Sequence, residues 1–301
     1  MKKSCLFILM LVLATSVSFA KTKLLVFHAG SLTVPFMKIE KAFEIKYPDI
    51  DIQRIIGGSR KLARMIVDAG SYTDIFASAD YTLIDEMLSP KFSYKSYKFA
   101  SNEMVICYTP KSKFANKINP ANWYKILQSK EINWGQASPD IDPCGYRTII
   151  SIKLAEKYYK SPGLYKKITA NRPLKNIRPK SVELISLLKS GFLDYAWEYK
   201  SVAIQHGLKF VELPNEINLS NLKYNDFYKT VNVKLSGKKP GAYVFKKGKA
   251  IIYGITMIKK TKYFKNTKLF LDFVLNENLG GKILRESGQN YIYKSGSKAV
   301  K

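Results

Sequence analysis

The apolar positions of this chain open with a strand followed by a helix, three times in succession. Leu24-Leu25-Val26-Phe27 is a buried-strand run that stops at His28-Ala29-Gly30-Ser31. Leu32, Phe36, Ile39 and Phe43 then share one helical face, with Pro48 beyond its end. Pro35 falls near the first turn of that helix, where a missing N–H is tolerated. Residues 50–56 alternate as a second strand and stop at Gly57-Gly58-Ser59, after which Leu62, Met65, Ile66 and Ala69 continue as a helix closed by Gly70. Asp74-Ile75-Phe76-Ala77 reads as a third strand, with Asp80 capping a helix through Leu83, Ile84 and Met87. Repeated strand–helix units predict a doubly wound parallel sheet, and in such sheets ligands sit beyond the C-terminal strand ends, where helices begin. Ser31 and Ser59 both fall at such ends.

Residues 104–109 form a long apolar strand followed by Pro110 and the polar Lys111-Ser112-Lys113, a pattern that reads as the crossing into a second lobe. That lobe is expected to hold a helix after Trp123, a loop over residues 138–144, and a long helix through Tyr146, Ile149, Ile150, Leu154 and Tyr158. Ser181 then caps Leu184-Ile185-Leu188, Gly191 ends that helix, and a strand over residues 192–197 leads to Tyr199. Residues 215–240 are a long polar excursion, and residues 250–257 an apolar strand that reads as the return crossing. A final helix carrying Phe264, Leu269, Leu271 and Phe273 belongs with the first lobe. The expected fold is α/β with two lobes, each a doubly wound, mostly parallel sheet flanked by helices, joined by two crossover strands. Residues 21–108 and 253–301 fall to the first lobe and residues 109–252 to the second.

The N-terminus changes where the chain is expected to act. Lys2-Lys3, an apolar core over residues 5–17 and Ser18-Phe19-Ala20 form a secretory leader, cut near Ala20. Its apolar run falls short of the ~20 residues of a membrane span. Cys5 sits inside it and not at the cleavage point, which argues against a lipid anchor. The expectation is an exported, periplasmic or extracytoplasmic protein of 281 residues. Two cysteines remain, Cys107 and Cys144. They make no disulfide framework and no structural metal spacing, and Cys107 lies in an apolar run that reads as core.

The formal net charge of +27 becomes +25 once Lys2 and Lys3 leave with the leader. Such an excess raises the prospect of a basic protein that binds polyanions or a membrane surface. The lysines are scattered from Lys21 to Lys301 and form no long block, and none of the nucleic-acid fingerprints is present. A solvated lysine-rich surface is the simpler reading, with no nucleic-acid partner.

Enzyme signatures are missing: there is no P-loop, no G-x-S-x-G elbow and no H-E-x-x-H. His28 and His206 are the two histidines, with no acid at a telling spacing. Ser31 follows a strand and opens a helix, yet lacks an evident base to make it a nucleophile. What does recur is a Ser, Gly or Asp just ahead of a helical pattern: Gly30-Ser31, Gly58-Ser59, Asp142-Pro143-Cys144-Gly145 and Ser181. A helix N-terminus carries unpaired N–H groups and roughly half a positive charge, so several converging ends make a cradle for a small anion.

Residues 24–301 resemble the tungstate/molybdate substrate-binding proteins of ABC transporters, in their archaeal-type branch. The resemblance rests on 26–32 (Val26-Phe27-His28-Ala29-Gly30-Ser31-Leu32), Phe76-Ala77-Ser78-Ala79-Asp80-Tyr81, Asn102-Glu103-Met104-Val105, Asp142-Pro143-Cys144-Gly145-Tyr146-Arg147-Thr148, Ser201-Val202-Ala203 with Gln205-His206-Gly207-Leu208, and 213–219. It implies a two-lobed periplasmic-binding fold that closes on one oxyanion, with no cofactor and no catalysis. Position by position, it implies ligand contacts at Gly30, Ser31 and Ser59 from the first lobe, and at Asp142, Pro143, Cys144, Ser181 and Tyr199 from the second.

One position departs from the family pattern. Where the family commonly has a glutamate that approaches the metal atom together with the aspartate, this chain has Ser181, and Glu183 is turned by roughly 200° on a helix. Two roles for Asp142 stay open: direct contact with the metal atom, or capping of the helix entered at Cys144. With one carboxylate missing, a tetrahedral ion is the favoured expectation.

The reading is thus an exported, monomeric receptor that captures tungstate or molybdate and delivers it to ABC permease subunits. Neutral N–H and O–H donors favour a fully ionised oxyanion over a protonated one. The alternatives are a receptor for sulfate or phosphate and, in a different class, a basic polyanion or membrane-surface binder.

Overall fold

The computed structural model describes residues 20–294. The expected leader lies outside them apart from Ala20, as does the end of the chain. The first four strands are β1 (Thr22–Ala29), β2 (Ile50–Gly57), β3 (Ile75–Ser78) and β4 (Tyr97–Ser101). Next come β5 (Met104–Tyr108), β6 (Trp134–Ala137), β7 (Ile177–Arg178), β8 (Tyr195–Tyr199) and β9 (Lys209–Glu212). A hairpin of β10 (Asn232–Ser236) and β11 (Tyr243–Lys247) precedes β12 (Ile252–Met257) and β13 (Asn290–Tyr291). They form one sheet in the order β13-β4-β12-β3-β1-β2, a second in the order β7-β6-β8-β5-β9, and the separate hairpin.

The three strand–helix units read from the sequence are present. β1 pairs in parallel with β2 and β3, and the register sets Ala29 opposite Gly57 and His28 opposite Ala77. All three strands therefore end at one level, which places the turns after them side by side. The helix Thr33–Lys46 buries Phe36, Ile39 and Phe43 on one face of the sheet, with Phe43 edge-on to Phe270 and Phe273 of the helix Phe264–Leu275. The helix Ser59–Val67 buries Leu62, Ala63 and Ile66 with Phe27 and Phe76 on the other face. Burying apolar side chains on both faces is what makes this sheet a central layer.

Two expectations need correction. The sheets are mixed and not mostly parallel: β3-β1-β2 and β7-β6-β8 are parallel, but β12, β13, β5 and β9 pair antiparallel. β5 and β12, the strands that follow the passages between the sheets, run against both of their neighbours. Residues 104–108, assigned from the sequence to the first lobe, form β5 and pair with β8 and β9 of the second sheet. The passage between sheets thus falls at Asn102 and Glu103, directly between β4 and β5. The apolar run through 109 gave no sign of this, because a strand buried in either sheet has the same pattern. The return run does join the first sheet, as β12 between β3 and β4.

In the second sheet the helix Pro143–Tyr158 follows β6 and buries Tyr146, Ile150, Ile152 and Leu154. Pro143 is pre-set for the first helical position, and Asp142 caps it by accepting from the Cys144 N–H at 2.9 Å. Gly145 is required here, because a Cβ would collide with the Ala137 carbonyl at the end of β6. The polar excursion over 215–240 contains short helices and then β10, whose hairpin partner β11 lies just beyond it; the sequence pattern had separated neither as a strand.

Candidate functional site

The strand ends of the two sheets face each other, and the residues singled out in the sequence meet there. Gly30 and Ser31 lie in the turn Gly30–Leu32 after β1, and Ser59 opens the helix after β2. Asp142, Pro143 and Cys144 start the long helix after β6, Ser181 follows β7, and Tyr199 is the last residue of β8. Ser31, Ser59, Asp142, Cys144, Ser181 and Tyr199 are all buried. The two sides touch: a Cβ on Gly30 would lie 3.3 Å from Val182, and one on Gly58 only 2.5 Å from the Ile141 carbonyl oxygen. Lys61 N–H donates to that same carbonyl at 3.2 Å.

A ring of polar contacts links the two sides. Ser31 Oγ is 2.8 Å from the Tyr253 hydroxyl, and the Tyr253 ring lies edge-on to Tyr199 at 6.0 Å. The Tyr199 hydroxyl accepts from Arg147 Nη1 at 2.7 Å, and the same nitrogen donates to the Ala79 carbonyl at 2.7 Å. Ala79 N–H donates to Ser59 Oγ at 3.0 Å. Asn102, at the passage between sheets, donates to Ser201 Oγ at 2.7 Å and to the Tyr253 hydroxyl at 3.2 Å. Since Ser59 Oγ and the Tyr199 oxygen act as acceptors here, each keeps its own O–H proton to donate elsewhere.

The acidic groups divide by partner. Asp142 uses one oxygen for the Cys144 N–H and the other for the Ser181 N–H at 3.1 Å. It thereby takes the capping role of the two left open by the sequence. Burial lifts its carboxyl to about 6, while the N–H groups of Cys144 and Ser181 pull it back down. Glu183 is on the outside, paired with Lys180 at 3.5 Å.

Glu198 lies in the stretch Trp197-Glu198-Tyr199, of which the sequence reading gave a role to Tyr199 alone. It is fully buried and accepts from Tyr199 N–H at 2.9 Å, beside Cys144 Sγ at 3.9 Å. Its other oxygen has no hydrogen-bond partner among the described residues. Burial raises its carboxyl to about 8; the Tyr199 N–H opposes this and Asp142 adds to it. Arg147, Tyr253 and Asn102 were likewise given no role, since each has its partners far away in sequence.

Asp80 is buried, and burial disfavours its charge. Lys246, Arg147 and the Tyr146 hydroxyl, 2.5 Å away, nevertheless hold it at about 2. His28 is a core residue: Nδ1 meets the Ala29 carbonyl at 2.8 Å, and burial depresses the ring to about 4. Cys107 and Cys144 are buried free thiols, with burial pushing both thiols up. Among the described residues no cluster of His, Cys, Asp and Glu could hold a metal ion, and no helix is long and apolar enough to cross a membrane.

Two α/β units joined by two passages, with hydroxyl and N–H groups of both meeting at their strand ends, form the two-lobed arrangement of a solute-binding protein. The chain belongs to the bacterial extracellular solute-binding protein family, whose model matches residues 24–289. It is 46% identical over 270 residues to an uncharacterized solute-binding protein of Petrotoga mobilis, covering 90% of this chain and 84% of that one. To the molybdate/tungstate-binding protein WtpA of Pyrococcus abyssi it is 39% identical over 297 residues, covering 90% and 85%. Among solved structures, the periplasmic molybdate-binding protein of Azotobacter vinelandii shares the fold with a TM-score of 0.65 at 17% identity, covering 90% of this chain and 100% of that one.

Proposed function

We propose that this chain is the extracytoplasmic receptor for tungstate or molybdate and delivers the ion to the permease of an ABC transporter. The observation that carries the reading is the ring of donors contributed by both lobes around Ser31, Ser59 and Tyr199. Gly30, Ser31 and Ser59 supply the contacts from the first lobe; Pro143, Cys144, Ser181 and Tyr199 supply those from the second. Asp142 contributes by fixing the Cys144 and Ser181 backbones, and both its oxygens are engaged in doing so. That engagement supports a tetrahedral bound ion. The relatives named for molybdate and tungstate support the choice of ion.

Closure of the lobes on the ion gives the permease a shape that reports occupancy. The test is a thermal shift. A ligand that binds only the folded state stabilises it by about 4 kcal/mol at ~1,000 times its dissociation constant. Tungstate or molybdate should therefore raise the melting temperature, and sulfate at equal concentration should do much less. No shift with either metal oxyanion removes the proposal.

A further inference from the structure

Arg147 is one of two arginines buried at the junction of the lobes, with only 4% of its surface exposed. It stands on the helix Pro143–Tyr158 of the second lobe, and one nitrogen, Nη1, makes both of its hydrogen bonds. One runs across the junction to the Ala79 carbonyl of the first lobe. The other runs to the Tyr199 hydroxyl within its own lobe. The amide N–H of that same Ala79 is the donor to Ser59 Oγ. A single guanidinium therefore touches Tyr199 of the second lobe and, in the first lobe, the residue whose N–H holds Ser59 Oγ.

The direction of each bond has a chemical consequence. A guanidinium has donors only, so the Tyr199 oxygen must act as acceptor toward Arg147. Its own proton is then aimed away from the arginine, and no acceptor for it is found among the described residues. The phenol is thus set up as a donor. The cationic partner also makes the phenol a stronger donor, because hydrogen bonds in a chain polarise one another in a low-dielectric interior. The guanidinium carbon lies 5.8 and 5.7 Å from the Tyr146 and Tyr199 ring centroids.

We propose that Arg147 is a positioning residue for oxyanion capture: it orients the Tyr199 hydroxyl as a donor to the bound anion and, through the Ala79 carbonyl, makes that orientation depend on lobe closure. In the open protein the bond to Ala79 is broken, so the second lobe alone holds a less constrained Arg147–Tyr199 pair. On closure one nitrogen is locked between two acceptors and the donor geometry is complete. The anion is read by Tyr199, and Arg147 acts through it. This inference rests on the receptor reading given above.

The test is a double-mutant cycle on the full mature protein with Arg147→Met, Arg147→Lys and Tyr199→Phe. It is titrated with whichever of tungstate, molybdate, sulfate or phosphate binds the unaltered protein most tightly. Tyr199→Phe removes a hydrogen bond to a charged group, and affinity should fall roughly 10- to 100-fold. Arg147→Met should cost at least as much, and the double variant should lose little beyond Arg147→Met alone. Arg147→Lys keeps a buried cation with enough protons for both acceptors and should bind within about tenfold of the unaltered protein. If Arg147→Met fails to fold, the cycle is run with Arg147→Lys and Tyr199→Phe, and the lysine variant must still bind.

Losses that multiply in the double variant would overturn the coupling between Arg147 and Tyr199. A folded lysine variant as poor as methionine would overturn the donor role. If sulfate or phosphate is the anion that binds and the cycle still couples, the Arg147 inference stands and the choice of ion falls. Binding of none of the four overturns both.

Discussion

Ser59→Ala separates the structural bond of one hydroxyl from the donor role proposed for it. Ser59 Oγ accepts the buried Ala79 N–H at 3.0 Å, which leaves its own proton to be donated elsewhere. Alanine leaves the Ala79 N–H unpaired, at a cost of roughly 1–3 kcal/mol in stability. At about 2–4 °C per kcal/mol for a chain of this size, the melting temperature should fall by roughly 4–8 °C for the middle of that range. Alanine also removes a donor to a charged ligand, worth roughly 1.5–3 kcal/mol, so affinity should fall about 10- to 100-fold. Ser78→Ala is the control, because the Ser78 hydroxyl spends its proton on the Asp80 carbonyl at 2.7 Å and accepts the Asp80 N–H at 3.0 Å. It should lose stability to a similar extent and keep its affinity to within about threefold. Calorimetric titration with tungstate, paired with thermal melts of the ligand-free variants, reads both quantities. Equal affinity losses in the two variants would refute the assignment of a free Ser59 proton.

Three further perturbations address closure and acid response. Gly58→Ala puts a Cβ 2.5 Å from the backbone oxygen of Ile141 across the junction, so it should leave each lobe folded but block full closure. Small-angle scattering should then show no ligand-induced compaction, and compaction as in the unaltered protein would contradict this. Arg60 clasps the lobes from the other side, donating to the Asp140 carbonyl at 3.0 Å and the Ser236 carbonyl at 2.5 Å. Arg60→Ala should weaken anion binding on the order of tenfold by destabilising the closed form, with the effect in the dissociation rate. His28 is held near 4 by burial, against 6.5 for a free side chain, so below 6.5 the unfolded chain takes up a proton that the folded chain refuses. Its contribution to stability is therefore lost as pH falls from about 6.5 to about 4, and is flat on either side. Denaturant midpoints of the unaltered protein should drop faster across that window than those of His28→Gln, and parallel curves would contradict the assignment.

Much of the first lobe was legible because its signals are local. Strand runs ending at Gly30-Ser31 and Gly57-Gly58-Ser59, each followed by a helical apolar face, need no distant partner to be read. The cap at Asp142 was legible for the same reason: an Asp-Pro pair ahead of an apolar periodicity is a helix start. What was not legible depends on pairings far apart in sequence. Residues 104–108 look the same in either sheet, and only pairing with β8 and β9 assigns them. Glu198 follows the predicted strand with no local signal of a role, and only the approach of Cys144, 54 residues away, places it beside the site. Arg147 acquires its meaning from Ala79, 68 residues away, through a bond that forms between lobes. A helical residue with a long polar side chain gives no periodic signal for such a contact.

The central claim is that one small metal oxyanion is captured between the lobes. Isothermal titration of the ligand-free protein with tungstate and molybdate, each at low and high salt and beside sulfate, tests it most directly. The expected result is a stoichiometry of one, an affinity for at least one metal oxyanion well above that for sulfate, and a shallow salt dependence, since few charges are engaged. Absence of binding by both metal oxyanions would contradict it. So would binding of many ions per chain with a steep loss in salt, the behaviour expected of a basic surface that collects anions through scattered lysines.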